Sequence, residues 1–291
     1  MGEFYALMCA VVWATAVIFL KRSGETFSPF ALNLFRVGVS SALLVVTVYA
    51  AGQGLLLDAP VRDYLVLVAS GVIAIALADT MFHKSLNTIG AGVTAIIDCL
   101  YSPLVVTFAF LLIDERLSVF HLLGMALILG GVLLASRIES PAGLDRAAQV
   151  KGILWGVGAM IALSLGVVMA KPVLERSPLL WATTVRQLGA LAFMLPVALA
   201  SSRRGDYLRS FRPRRDWRFG LPGTVLGSYV SLMLWLAGMK YTEAGTAAIL
   251  NQTSTIFVLV FATLFLREAF TRRKFAAAAL AVCGILLVTL S

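Results

Sequence analysis

Apolar runs recur along the whole chain, and the links between them are mostly short and polar. A bilayer core about 30 Å thick needs about 20 apolar residues in a helix. On that rule the chain holds ten spans, at residues 4–20, 29–51, 64–83, 91–113, 119–136, 152–170, 178–200, 217–238, 244–266 and 274–290. The pattern predicts an all-α, polytopic membrane protein with ten transmembrane helices. Ser28-Pro29 and Ser177-Pro178 each put an N-cap acceptor ahead of a proline at the first helical position. Ser118 and Thr271 are placed to cap spans five and ten in the same way.

Composition agrees with this reading and adds an orientation. Of 291 residues, 60% are hydrophobic and 13% charged, with mean hydropathy +0.92. Soluble domains carry about a quarter charged residues, so a water-facing globule, a disordered chain and a disulfide scaffold are all excluded. Links after odd-numbered spans hold 17 of the 24 Lys and Arg, and links after even-numbered spans hold 5. Arg36 and Arg186 lie inside spans. Cations collect on the cytoplasmic side, so the bias predicts both termini outside the cytoplasm; the expected location is a cell membrane, a bacterial inner membrane. The Arg-rich stretch 203–218 reads as a topology anchor, and no nucleic-acid partner is expected. Cys9, Cys99 and Cys283 lie in apolar runs without CxxC spacing, which argues against a disulfide or zinc and predicts small buried side chains. No phosphate-loop, nucleotide-binding or metal motif is present, so no cofactor is expected and any transport must draw on an ion or substrate gradient.

The chain also repeats itself, with a shift of 150 to 153 residues. Ser28-Pro29 with Arg36 is echoed by Ser177-Pro178 with Arg186. AGVTAII at 91–97 is echoed by AGTAAIL at 244–250, and 14 of 46 positions are identical between 91–136 and 244–289. Two five-span halves result, 1–140 and 150–291. Five is odd, so the second half enters the membrane in the opposite sense, an inverted repeat of the kind many secondary transporters use. The A-G-x-x-A-I-[IL] run opening spans four and nine, with Glu115-Arg116-Leu117-Ser118 and Glu268-Ala269-Phe270-Thr271 as E-x-x-[ST] links, resembles the EamA family of the drug/metabolite transporter superfamily. The resemblance covers essentially the whole chain. It implies a central cavity between the halves and alternating access, with amino acids, other metabolites or drugs as substrates, often moved outward.

Ionisable groups inside a span are costly and need a partner, water or a purpose. Arg36 and Asp98 each lie about eight residues into an outward-running helix, about 10 Å from the inner boundary at 1.5 Å per residue. Asp79 and His83 share a face at i, i+4. These four predict an inner cluster, one carboxylate in excess of Arg36 unless His83 is protonated. It could serve as a proton or cation site, a substrate-amine anchor or a structural ion pair. Arg186 and Gln187 reach the depth of Asn251 and Gln252 on the outer side, where Asp98 is replaced by Asn251. A guanidinium there could grip a substrate carboxylate or snorkel to the interface.

Polar stripes at helical spacing accompany these groups: Asn33, Arg36 and Ser40; Thr94, Asp98 and Tyr101; Ser228, Ser231 and Trp235; Asn251, Ser254 and Val258. In lipid such stripes must face protein or water. Trp13, Trp181, Trp235 and Tyr101 are candidates to line a cavity. Spans five and ten carry small residues, suited to close packing or to a homodimer face, so the chain reads as a monomer or homodimer. The expected activity is secondary export of small polar or amphipathic metabolites such as amino acids, with a coupling proton or cation. Rival readings are a multidrug or nucleotide-sugar-like carrier, an intramembrane enzyme or a non-transporting receptor. The enzyme reading has only Ser70 and His83, which share one helix too far apart for a dyad.

Overall fold

The structure, a computed structural model, describes residues 2–113, 119–135, 145–213, 217–241, 250–251 and 253–289. Glu115, Ser118, Gln252 and the first six residues of the second AGTAAIL run lie outside these. The described residues are helical, with no strand among them. In chain order the helices are α1 (Gly2–Ser23), α2 (Pro29–Ala50), α3 (Val61–Gly71, Val72–Leu77 and Ala78–Ile89), α4 (Ala91–Asp98 and Tyr101–Ile113) and α5 (Val119–Ala135). They continue with α6 (Arg146–Arg176), α7 (Leu179–Ala200), α8 (Trp217–Val225, Leu226–Val230 and Ser231–Tyr241), α9 (Ser254–Leu266) and α10 (Arg272–Thr289). A short helix, Arg204–Arg209, lies in the link before α8. By length and composition α1, α2, α3, α4, α6 and α7 can each cross a membrane, while Leu122–Gly131 and Ser254–Leu266 are shorter apolar helices. Large apolar side chains such as Val46, Leu133, Leu154 and Leu264 point outward, as a lipid-facing surface requires.

Ser28 caps α2 by accepting from the Ala31 N–H, and Thr271 caps α10 by accepting from the Lys274 N–H. Ser177 does not cap: α7 begins one residue after Pro178 with no side-chain cap. Two helices depart from regular α-geometry in a matched way. The i→i+5 turn Val72–Leu77 in α3 has a counterpart at Leu226–Val230 in α8, close to the place the repeat shift predicts. In such a wide turn a backbone carbonyl loses its usual partner, and a neighbour must supply one.

The helix contacts obey the same exchange. Swapping α1–α5 with α6–α10 turns the α3–α6 contact into α8–α1, α4–α6 into α9–α1, and α3–α7 into α8–α2, and all six are present. The pairs α2–α7, α4–α9 and α5–α10 map onto themselves. Glycine permits the closest of these approaches. A Cβ on Gly71 would collide with the backbone carbonyl of Arg186, so α3 and α7 touch through their main chains. A Cβ on Gly284 would lie 2.5 Å from the Gly124 carbonyl oxygen, and one on Gly131 would lie 2.7 Å from that of Ala277. The small residues of α5 and α10 therefore serve packing between those two helices. Cys9 and Cys99 are buried, whereas Cys283 is exposed on α10, against the expectation of three buried cysteines.

Candidate functional site

Arg36 on α2 is buried and uses its whole fork. Nη1 lies 3.3 Å from Asp79 Oδ2 and 2.6 Å from His83 Nε2, both on α3. Nε and Nη2 donate to Ser228 Oγ on α8 at 3.1 and 2.9 Å. A guanidinium only donates, so Nε2 of His83 is the accepting nitrogen, and the ring proton sits on Nδ1. That nitrogen is buried with no partner among the described residues. Arg36, Asp79 and His83, three of the four members expected of the inner cluster, are thus brought together. Asp98 is not part of the hydrogen-bonded group.

Arg186 on α7 repeats the theme across the repeat boundary. Its Nε donates to Ser70 Oγ on α3 at 2.9 Å, and Ser70 donates in turn to the Gly166 carbonyl at 2.6 Å. No described carboxylate forms an ion pair with it. Gln187, beside it, donates to Ser40 on α2. Tyr101 lies within electrostatic reach of both Arg186 and Asp98. Ser70 is therefore a support for Arg186 and far from any role with His83 as a nucleophile.

Asp98 lines a narrow cavity with Trp13, Val17, Phe82, Ala91, Ala95, Ser254, Thr255 and Val258, where α1, α3 and α4 meet α9. The cavity has room for about one water. Asp98 closes the first segment of α4, which breaks at Cys99-Leu100 before resuming at Tyr101. Its carboxyl group has no hydrogen bond or ion pair among the described residues. Trp13 and Phe82 stand with ring centroids 6.3 Å apart. Cys99 Sγ lies 3.4 Å from Thr255 Oγ1.

Other expected lining residues go elsewhere. Asn33 is fully buried and donates to the Ile75 and Ala76 carbonyls at 2.9 and 3.2 Å and to Thr80 Oγ1 at 3.0 Å. It supplies the partners that the wide turn of α3 needs. Trp181 is wedged beside Tyr64 and donates to the Leu55 carbonyl at 2.8 Å, away from the Asp98 cavity. Trp235 is half-buried on α8. Asn251 is half-buried, with its Oδ1 buried and unpartnered among the described residues.

One cluster lies outside the sequence expectations. Glu268, in the link between α9 and α10, accepts from the Ala91 and Gly92 N–H groups at 2.7 and 3.1 Å and from Lys274 Nζ at 2.8 Å. It thereby caps the start of α4 from the other repeat, where free N–H groups and the helix dipole favour an anion. A Cβ on Gly92 would overlap the end of the Lys274 side chain, which would have to shift from its place beside Glu268. Nearby, Lys21 Nζ donates to the Leu86 and Asn87 carbonyls, and Arg22 Nη2 to the Phe265 carbonyl at 2.5 Å. The A-G pair and the E-x-x-T link are both visible as motifs; small residues beside a helix start are the signal that one receives the other. At the opposite end of α3, Arg176 holds Asp63 through two nitrogens, at 2.5 and 3.3 Å.

Comparison with known proteins gives one family. The model of the EamA-like transporter family matches residues 1–137 and again 150–290. A protein of Archaeoglobus fulgidus described as an uncharacterized transporter is 21% identical over 285 residues, covering 98% of this chain and 96% of its own length. A solved crystal structure aligns over 99% of this chain and 96% of its own with a TM-score of 0.68 and 19% identity, which speaks for the fold alone.

Proposed function

Because the chain belongs to the EamA-like transporter family, and so is a multi-pass membrane transporter of two repeats, we propose that it is a secondary active exporter of small polar or amphipathic metabolites, amino acids foremost. The observation that carries this is an acidic and a basic side chain where the repeats meet, neither in an ion pair among the described residues. Asp98 has no described partner, Arg186 has a hydroxyl but no carboxylate, and Tyr101 is within reach of both. A zwitterion offers the complementary pair. In this reading ten helices span a bacterial inner membrane with both termini outside the cytoplasm, and the halves are inverted. The Glu268 cluster then closes the cytoplasmic face, and alternating access consists of breaking it while the outer face closes. A proton or cation supplies the driving gradient.

Purified protein in liposomes, loaded with single amino acids and assayed for counterflow of a labelled one, tests this. Saturable exchange that Arg186→Gln abolishes supports the reading. Absence of exchange for every amino acid, with sustained flux of an uncharged or cationic drug, overturns it.

A further inference from the structure

The Asp98 cavity carries more specific chemistry than an acidic pole, provided that it is part of the transport site, as the exporter reading has it. Three of its lining side chains bear oxygen: the Asp98 carboxylate and the hydroxyls of Ser254 and Thr255. Ser254 forms no side-chain hydrogen bond among the described residues, and Thr255 has only the thiol of Cys99 beside its hydroxyl. Trp13 and Phe82 form aromatic walls, and Val17, Ala91, Ala95 and Val258 complete them. Arg36 is already committed to Asp79, His83 and Ser228. The Asp98 carboxyl group is therefore left facing a water-sized space with no ion-pair partner among the described residues.

We propose that this cavity seats the primary ammonium group of a substrate, with Asp98, Ser254 and Thr255 as the three acceptors and Trp13 and Phe82 as the aromatic walls. An –NH3+ head has three donors and no acceptor, which matches three oxygen-bearing neighbours, and it is about the size of the water that the space admits. The faces of Trp and Phe attract a cation through the ring quadrupole. A bare alkali ion fits less well, because it sheds its hydration shell only for a replacement shell of several oxygens. A quaternary ammonium is too wide and has no N–H to offer. The site thus selects primary amines over N-methylated ones.

The test is equilibrium binding by the full-length protein in detergent, read as a rise in melting temperature with ligand concentration. Methylammonium chloride, tetramethylammonium chloride and sodium chloride are compared at equal ionic strength. Methylammonium should stabilise saturably, and the other two should not. Asp98→Asn should weaken methylammonium binding about tenfold or more, since a charged hydrogen bond is lost, and Ser254→Ala should weaken it less. Equal stabilisation by tetramethylammonium, saturable stabilisation by sodium, or an Asp98→Asn protein that responds like wild type would each overturn the proposal. The first two comparisons use wild-type protein, so they decide even if the variant folds poorly. Methylammonium binding without any amino acid flux would sink the exporter reading and leave the pocket standing; flux without discrimination between the amines would do the reverse.

Discussion

Arg36 grips Ser228 from two of its nitrogens, joining the second helix of one repeat to the third helix of the other. Arg186 and Ser70 make the reciprocal link, again from a second helix to a third. The two arginines that the duplication places at equivalent positions are therefore clasps between the halves. They differ in what else they hold. α2 packs on α3, which gives Arg36 the carboxylate of Asp79, whereas Arg186 has no described carboxylate partner.

The first prediction rests on that asymmetry. Arg36→Leu strands Asp79, whose side chain is 26% exposed and so keeps some contact with polar surroundings. Removing one partner of a buried pair costs about 3–5 kcal/mol, and the partial exposure puts this case at the low end or below. Melting temperature should fall clearly. Arg36→Leu combined with Asp79→Asn should recover part of the loss, because the uncompensated charge is gone. A double variant no more stable than the single would show that the clasp to Ser228, rather than the ion pair, carries the stability.

Gly71 supplies a second. The atoms that a Cβ on Gly71 would meet first are all main chain of Arg186, so no side chain can swing aside, and Gly71→Ala must push α3 and α7 apart. The expected cost is at the upper end of overpacking, about 3 kcal/mol. Gly130→Ala is the control, since a Cβ on Gly130 meets nothing within 4 Å. There the gain in helix propensity, about 1 kcal/mol, should leave the protein as stable or slightly more so. Thermal unfolding of the two variants side by side reads both effects.

These cases also mark what the chain discloses before it folds. The apolar runs and the duplication are legible because they are periodic, and they lead to the repeats and to the meeting of Arg36, Asp79 and His83. Depth along a helix sets height in the membrane but not direction around the axis. The spacing puts Asp98 at the height of Arg36, yet it faces α1 and α9 instead. Asn33 reads as lining because nothing in a one-dimensional pattern announces a wide turn with a carbonyl to satisfy. The Glu268 cap joins positions 177 and 176 residues apart, so its two motifs look like separate signatures.

For Glu268 itself, the expectation is a destabilised and more open protein. Glu268→Ala leaves two N–H groups at the start of α4 uncapped and Lys274, only 4% exposed, without its anion. A drop of about 3–5 kcal/mol is expected for a stranded buried charge, partly restored by Lys274→Met in the same protein. If this cluster closes the cytoplasmic face, a membrane-impermeant maleimide applied from that side should label Ala95→Cys faster in the Glu268→Ala background. Unchanged labelling would assign the cluster to helix capping alone.

Orientation is tested independently. With 17 cations in one set of links and 5 in the other, a C-terminal fusion to a reporter active only in the cytoplasm should be silent. A strong signal would reverse the topology and put the Glu268 cluster on the outer face.

Asn33 separates a structural polar residue from a pathway one. Its amide nitrogen meets two carbonyls of the α3 turn, and Thr80 also donates to the Ala76 oxygen at 2.6 Å, so Ile75 depends on Asn33 more than Ala76 does. Asn33→Leu should therefore strand chiefly one buried acceptor, at about 1–3 kcal/mol. Asn33→Asp should cost more, because a carboxylate would face carbonyl oxygens and remove the donor at once. In both variants transport should decline only as the folded fraction declines, with KM for the substrate unchanged in the protein that remains. A raised KM at unaltered melting temperature would put Asn33 back on the substrate path and would mean that the turn finds another donor during the transport cycle.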